Sequence, residues 1–255
     1  MRELSVIIPC LNEAENLPSI LRDLSSYVQS AHIGETIIVD DSSDDSTAEV
    51  ARNLSNKYPE LSIKVITRPK PRKGYGAVVR FGMDQASCRY CTFVAADGVD
   101  PIQLLPTYVK RLREDAQLVQ CSRYANLGDS ETIPFTYKFY QTLFRAGQKV
   151  VLGKLLPDST YAFKAFDREY VRILGLTSNR FSISPEIAFK VLLSGGKIVT
   201  VPGAQGTRNR GISKFRFRKE GLGYLNVVLR AALHRLGVRW FQNPTGDHVV
   251  DLVCL

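Results

Sequence analysis

Thr92-Phe-Val-Ala-Ala-Asp-Gly-Val-Asp-Pro101 reads as the end of a short buried strand, Cys91 to Ala96, that stops on an acidic loop. A carboxylate at the carboxyl end of a central parallel strand lies where open α/β sheets bind ligands, because the loops after the strands meet there. Asp97 is therefore a candidate for holding a metal ion or the phosphates of a nucleotide. The same residues also suit a plain turn at Asp97-Gly98 and a helix capped by Asp100 and opened by Pro101. The surrounding chain has to decide between them.

Upstream, the same unit recurs three times. Leu4 to Pro9 is an almost wholly apolar run, as a strand buried on both faces should be. It gives way to the polar loop Pro9-Cys-Leu-Asn-Glu13 and then to Ala14–Ser26, where Leu17, Ile20, Leu21 and Leu24 form a helical stripe. Thr36 to Val39 runs into Asp40-Asp-Ser-Ser-Asp-Asp-Ser-Thr47, a loop able to cap a helix that reaches about Tyr58. Ser62 to Thr67 is a third strand. Lys70 to Gly76 is a basic, glycine-containing loop before a helix carrying Ala77, Val78, Phe81 and Gly82. Four β-loop-α units predict a doubly wound α/β sheet with right-handed crossovers. Their loops bring Glu13, Asp41, Lys73 and Asp97 to one edge.

The remaining pattern predicts a helix from Pro101 to Glu114, a strand from Leu118 to Ser122, and a helix from Phe135 to Leu152. A strand from Ala162 to Phe166 follows, with a helix to Leu174, a helix from Ser184 to Ser194 and a strand from Lys197 to Val201. No internal repeat or low-complexity linker interrupts residues 1–215, which read as one domain. The segment 216–255 carries Leu222, Leu225, Leu229, Ala232, Leu233 and Leu236 at helical spacing between Lys219 and Arg239. Arg230, His234, Arg235 and Arg239 fall mostly on the other side. Such a helix either rests on an anionic membrane surface or packs on its own domain with solvated arginines.

With 255 residues, 44% of them apolar, and a net charge of +9, the chain is a globular protein with a full core and an acidic partner. The partner is nucleic acid, anionic lipid or a phosphorylated small molecule. The apolar run at the start ends at Pro9, too short for a signal peptide, and no apolar window is long enough for a transmembrane helix. The five cysteines are odd in number and scattered, which fits reduced thiols in a cytoplasmic protein. Cys88 and Cys91 lack the second pair that a zinc site needs.

Six motifs, in order, resemble the inverting glycosyltransferases of family two, within them the dolichol-phosphate mannose synthase-like branch. They are Val6-Ile-Ile-Pro-Cys-Leu-Asn-Glu-Ala-Glu-Asn-Leu17, Ile38-Val-Asp-Asp-Ser-Ser-Asp-Asp-Ser-Thr47, Lys73-Gly-Tyr-Gly-Ala77, Cys121-Ser-Arg-Tyr124, Asp158-Ser-Thr-Tyr-Ala-Phe-Lys-Ala-Phe166 and Arg208-Asn-Arg-Gly-Ile-Ser-Lys214. The resemblance covers roughly residues 4–215. It implies a GT-A fold, a Rossmann-like, mostly parallel sheet with helices on both faces, followed here by a C-terminal amphipathic helix.

The resemblance also implies roles. Pro9, Leu11 and Glu13 line the nucleotide pocket, with Glu13 accepting from ribose hydroxyls and Asp41 from a base N–H. Lys73 suits the pyrophosphate. Arg123, Arg208, Ser213 and Lys214 suit the phosphate of the acceptor, because guanidinium forks match phosphate oxygens in pairs. Asp158 and Glu186 match acidic positions near the sugar or the site wall, though either residue also suits a helix or turn cap. The implied partners are a GDP- or UDP-hexose donor, a lipid phosphate acceptor and an anionic membrane surface, with the protein cytoplasmic and peripheral at the membrane. Nucleic acid is disfavoured, because the strand-end carboxylates would repel a polyphosphate backbone.

The chain departs from the family at two places. Leu11 stands where the family has tyrosine, and the metal motif D-A-D is here Ala95-Ala96-Asp97, with Val99 two positions on. Asp97, with Asp100 if the loop bends, remains for a divalent cation, Mg or Mn. Three readings stay open: a weakly held metal, no metal with Lys73, Arg123 and Arg208 neutralising the leaving diphosphate, or a catalytically silent nucleotide-sugar binder or membrane adaptor. A sugar or small-molecule hydroxyl is the alternative acceptor, and it would require Asp158 or Glu186 as a base.

Overall fold

Alternate residues of the first strand serve two different cores. β1 (Leu4–Cys10) sends Val6 and Ile8 to one and Ile7 to the other. It lies between β2 (Ile33–Asp40) and β4 (Tyr90–Phe93), parallel to both, and β2 pairs in parallel with β3 (Ile63–Thr67). β5 (Leu118–Ser122), β6 (Lys164–Asp167) and β7 (Ile198–Pro202) complete a seven-stranded sheet of order β3-β2-β1-β4-β6-β5-β7. Only β6 runs antiparallel, to β4 on one side and β5 on the other, while β5 and β7 are parallel. The structure, a computed structural model, describes residues 2–69, 74–124, 135–208 and 217–241.

Helices cover both faces. α1 (Leu17–Ser25), α2 (Thr47–Lys57) and α4 (Leu105–Arg113) place Leu17, Leu21, Ala51, Leu105 and Val109 in the first core. α3 (Tyr75–Gln85), α6 (Arg168–Ile173) and α7 (Ile183–Leu193) place Val79, Met83, Val171 and Ile187 in the second. α5 (Phe135–Leu152) and α8 (Phe217–Arg235) pack on each other, and α8 also packs on α7.

Three departures from the sequence reading bear on the site. β4 leaves the sheet at Phe93 rather than Ala96. Val94 still donates to the Ile7 carbonyl at 3.0 Å, but the Ala95 N–H turns to Asp100 Oδ2 at 2.7 Å. Asp100 is thus spent on its own loop and caps no helix: a 3-10 turn at Ile102–Leu104 precedes α4, and Ile102 N–H donates to the Asp100 backbone carbonyl.

The third departure is where α8 ends, and of the two readings open for its leucine stripe, the stripe is not what packs on the domain. Glu220, Val227 and Ala231 face the domain, whereas Leu222, Leu225, Leu229, Leu233 and Leu236 remain 38% to 80% exposed. The neighbouring α5 leaves Phe139, Leu143 and Val150 exposed as well. α8 ends earlier than the pattern suggests, because Gly237 adopts φ 92° and Val238 N–H returns to the Leu233 carbonyl at 2.9 Å. Among the described residues no helix is long and apolar enough to cross a membrane.

Candidate active site

Asp97 stands on the loop after β4 with little exposure, and its two oxygens have different company. Oδ1 accepts the Val99 N–H at 3.3 Å, and Oδ2 pairs with Arg208 Nη2 at 2.8 Å. Burial raises its pKa, Arg208 pulls it down, and the charge of Glu13 pushes it up again. Glu13, Asp97 and Arg208, which come from three separate motifs, therefore meet at one edge of the sheet. The strap that carries Arg208 is held there by its backbone, Gly206 N–H donating to the Val99 carbonyl at 2.9 Å.

Beside this pair lies a more deeply buried one. Asp158 is fully buried, and its carboxylate accepts from Arg123 Nε at 2.7 Å, Arg123 Nη2 at 3.0 Å and the Arg123 backbone N–H at 3.2 Å. Thr160 Oγ1 at 3.1 Å and Gln141 Nε2 at 3.4 Å also donate to Oδ1. A carboxylate offers about four lone-pair sites, so Asp158 is saturated. It orients Arg123 and has no vacancy for a substrate proton. Arg123 Nη1 donates to Gln205 Oε1 at 2.9 Å, and the guanidinium lies over the Tyr161 ring, 4.3 Å from its centre. Tyr161 in turn donates to Asp100 Oδ1 at 2.8 Å.

Asp100 is thus engaged at both oxygens, and burial pushes its pKa up to about 6. It shapes the loop instead of offering a ligand. Beneath Asp158, the buried Lys164 donates to the Tyr161 carbonyl at 2.6 Å, and burial holds its pKa down at about 7 against the pull of Asp158.

Asp41, the first residue after β2, is held by a buried arginine that the motifs do not mark. Arg68 Nε and Nη2 both reach Asp41 Oδ1, at 3.0 and 2.8 Å. The acidic loop closes on the β1 loop: Glu13 N–H donates to Thr47 Oγ1 at 2.8 Å and Asn12 N–H to Ser43 Oγ at 2.9 Å. Glu13 Oε2 accepts Asn16 Nδ2 at 2.7 Å. Pro9 and Leu11 flank the same opening on β1 and its loop, each partly buried. Lys73, Ser213 and Lys214 lie outside the described residues.

The Gly74-Tyr-Gly76 turn shows why that motif needs glycine. A Cβ at Gly76 would lie 2.4 Å from the Ser178 carbonyl and 2.7 Å from that of Arg180. Tyr75 stacks on Phe181 with ring centres 4.7 Å apart. Glu186 holds this opposing loop. It is fully buried, pairs with Lys190 at 2.9 Å, and accepts Thr177 N–H at 2.9 Å and Ser178 N–H at 2.8 Å. Burial alone would raise its pKa; Lys190 and Ser178 outweigh that and lower it. Glu186 is a clamp for the loop, not a group that faces Asp97. Sequence reasoning missed Arg68, Gln141, Tyr161 and Gln205, which hold the predicted residues in place. Arg68, next to Pro69 at the end of a strand, is the one that its position could have flagged.

The description Glycosyl transferase family 2 matches residues 5–175. The chain belongs to that family. The family 2 chain is 34% identical over 234 residues to a dolichol-phosphate mannosyltransferase of Pyrococcus furiosus, covering 89% of this chain and 63% of that protein. It is 28% identical over 182 residues to a dolichyl-phosphate beta-glucosyltransferase of Dictyostelium discoideum, covering 66% of this chain and 55% of the relative. The chain therefore spans little more than half the length of these relatives. Its fold is similar to that of glucosyl-3-phosphoglycerate synthase from Mycobacterium tuberculosis, crystallised with Mn2+, uridine diphosphate and glucosyl-3-phosphoglycerate. The TM-score is 0.64 at 21% identity, covering 93% of this chain and 81% of the other.

The family 2 site has a sparse donor set for a metal. Among the described residues no group of three or more His, Cys, Asp or Glu could hold an ion. Asp97 Oδ1 keeps the Val99 N–H, and Oδ2, whose partner is the partly exposed Arg208, is the oxygen an ion could take. That set fits a magnesium-like ion that takes one protein ligand and fills its shell with phosphate and water.

Proposed function

We propose that this chain is the catalytic domain of an inverting transferase that moves a hexose from a nucleoside diphosphate sugar to a polyprenyl or dolichyl phosphate. The names of the relatives support the reaction class. The observation that carries the acceptor class is how the carboxylates are used. A hydroxyl acceptor needs a general base, yet Asp100, Asp158 and Glu186 each have both oxygens engaged by protein donors. A lipid phosphate is already anionic near neutral pH, its second pKa being about 6 by analogy with phosphoserine. It needs orientation and charge neutralisation, which Arg123 and Arg208 are placed to give.

In this reading the nucleotide lies across the loops after β1 and β2. Glu13 accepts from the ribose, Asp41 from the base, Pro9 and Leu11 wall the pocket, and Lys73 meets the diphosphate. Three of the five N–H groups of the Arg123 side chain hold Asp158 and Gln205, and the other two serve the acceptor phosphate with Arg208, Ser213 and Lys214. Asp97 would hold a divalent ion, which when bound neutralises charge on the leaving diphosphate. The phosphate oxygen attacks the anomeric carbon in line, the bond to the diphosphate breaks, and the configuration inverts. The exposed leucines of α8 rest on the membrane surface, where a polyprenyl chain is anchored.

The test is incubation of the protein with labelled GDP-mannose or UDP-glucose and polyprenyl phosphate, with and without chelator. An acid-labile product extractable into chloroform is expected. Donor binding without lipid product, from any donor, would overturn the proposal in favour of a silent nucleotide-sugar binder.

A further inference from the structure

A cavity of about 240 Å³ opens between residues 177–182 and the side of α8, lined among others by Ser178, Arg180, Ser182, Asn226, Arg230 and Trp240. Its polar lining is rich in donors. Arg230 is held in place by Asn226 Oδ1 at 3.1 Å and Thr177 Oγ1 at 3.2 Å. The indole N–H of Trp240 is buried and has no acceptor, a state that normally costs free energy unless a ligand or water supplies the missing oxygen. Gly223 keeps one wall thin, since a Cβ there would lie 3.0 Å from Ser182 Oγ.

The local charge is positive. Arg180 is paired with the buried Glu220 at 3.4 Å, the Glu186–Lys190 pair behind the loop cancels itself, and Arg80, bonded to Asn179, adds to Arg230. The position of the cavity also matters. At helical spacing Asn226 and Arg230 fall on the shoulder between the buried Val227–Ala231 face and the exposed Leu222–Leu225–Leu229–Leu233 face. An amphiphile lying along those leucines would bring its headgroup to this opening.

We infer that this cavity is a second phosphate site, distinct from the acceptor site at Arg123 and Arg208, which takes the phosphate of an anionic bilayer phospholipid. The inference rests on α8 meeting a membrane, as proposed above. Arg230 supplies a cation, Arg180 offers the N–H groups that Glu220 does not take, and Trp240 and Ser182 supply neutral donors. The occupied site would fix the rotation of α8 on the surface, and with it the height of the acceptor site.

The test uses the whole chain in flotation with vesicles of phosphatidylcholine, alone or with phosphatidylglycerol. Arg180→Gln with Arg230→Gln should weaken binding to the anionic vesicles about 25-fold, and weaken binding to zwitterionic phosphatidylcholine vesicles far less, since choline there offsets the phosphate charge. Trp240→Phe, which removes one N–H and no charge, should weaken it about tenfold. Transfer to a short-chain, detergent-dispersed polyprenyl phosphate should be unaffected in both, so loss of transfer and loss of this site are read separately. The inference fails if Trp240→Phe binds like the wild type, or if Arg22→Gln, on α1 over the other core, weakens binding as much as the cavity arginines. It also fails if inorganic phosphate stabilises the protein through these residues while vesicle binding ignores them, which would make this a free-phosphate site.

Discussion

Asp158→Asn keeps the shape of the side chain and removes its charge, which separates a positioning role from that of a base. In the wild type the two oxygens receive three N–H groups of Arg123 and two neutral donors. Asparagine retains one acceptor, and its NH2 group must then face either the Nε side or the Nη2 side of the guanidinium, donor against donor. Hydrogen bonds to charged groups are worth roughly 1.5–3 kcal/mol each, and breaking a buried pair from one side typically costs about 3–5 kcal/mol. Asp158 is fully buried and Arg123 mostly so, so a loss of about 3–4 kcal/mol is expected. With an m-value of about 3 kcal/mol/M, the urea midpoint should fall by roughly 1 M. Arg123 would lose its anchor, so KM for the lipid phosphate should rise while the shape of the kcat–pH profile is kept. The measurements are urea unfolding followed by circular dichroism and steady-state transfer across pH. An unchanged midpoint together with loss of the acidic limb of the profile would refute the reasoning, because Asp158 would then be acting as a base.

Three further outcomes are expected. Gly76→Ala should destabilise the protein by about 2 kcal/mol or more, since backbone carbonyls at 2.4 and 2.7 Å cannot yield as a side chain could; Gly221→Ala, in α8 with nothing within 4 Å, should instead stabilise it by about 0.5–1 kcal/mol, both read by thermal unfolding. Burial would raise the pKa of Glu35, but Lys64, Ser5 and Ser87 outweigh it and hold the carboxyl near 2, below its unfolded 4.5; the unfolded chain therefore binds more protons between these values, stability falls as pH drops from about 4.5 towards 2, and Glu35→Gln should flatten that limb. Asp97→Asn should reduce transfer about a hundredfold or more and remove any effect of Mn on nucleotide affinity measured by calorimetry, whereas intact transfer would leave the chemistry to the arginines and lysines.

The fold was legible where periodicity and burial coincide. β5 and α5 fall at the residues the pattern marks, because a short run that opens on Leu118-Val119 and a long helical stripe leave little choice. The direction of β6 was not legible, since a four-residue strand carries the same alternation whichever way it runs. Which face α8 buries was left open by the sequence for a physical reason: its most apolar stripe is the exposed one, and the domain is met by Glu220, Val227 and Ala231. At the site, motif spacing located Asp97, Arg123, Asp158 and Arg208. It was silent on Arg68, Gln141 and Gln205, because second partners are chosen by tertiary contact and have no fixed offset, and it included Tyr161 in a motif without giving it a role.

Residue identity alone would have given Asp97, Asp100 and Asp158 similar prospects, and their surroundings assign them different work. Asp158 faces an arginine across a pair that is almost dry, where losing either partner leaves an uncompensated charge. Asp100 is fixed by a backbone N–H and a phenol, neither of which can leave without unravelling the loop. Asp97 is buried but faces Arg208, whose side chain is 28% exposed, so this cation has a route to water that the partner of Asp158 lacks. Another cation taking its place would keep the buried carboxylate compensated. Under the proposed function, the pair open to water would be the one beside the diphosphate, with Arg208 covering Asp97 until a substrate brings its own counter-ion, while the drier pair is the one that aims Arg123.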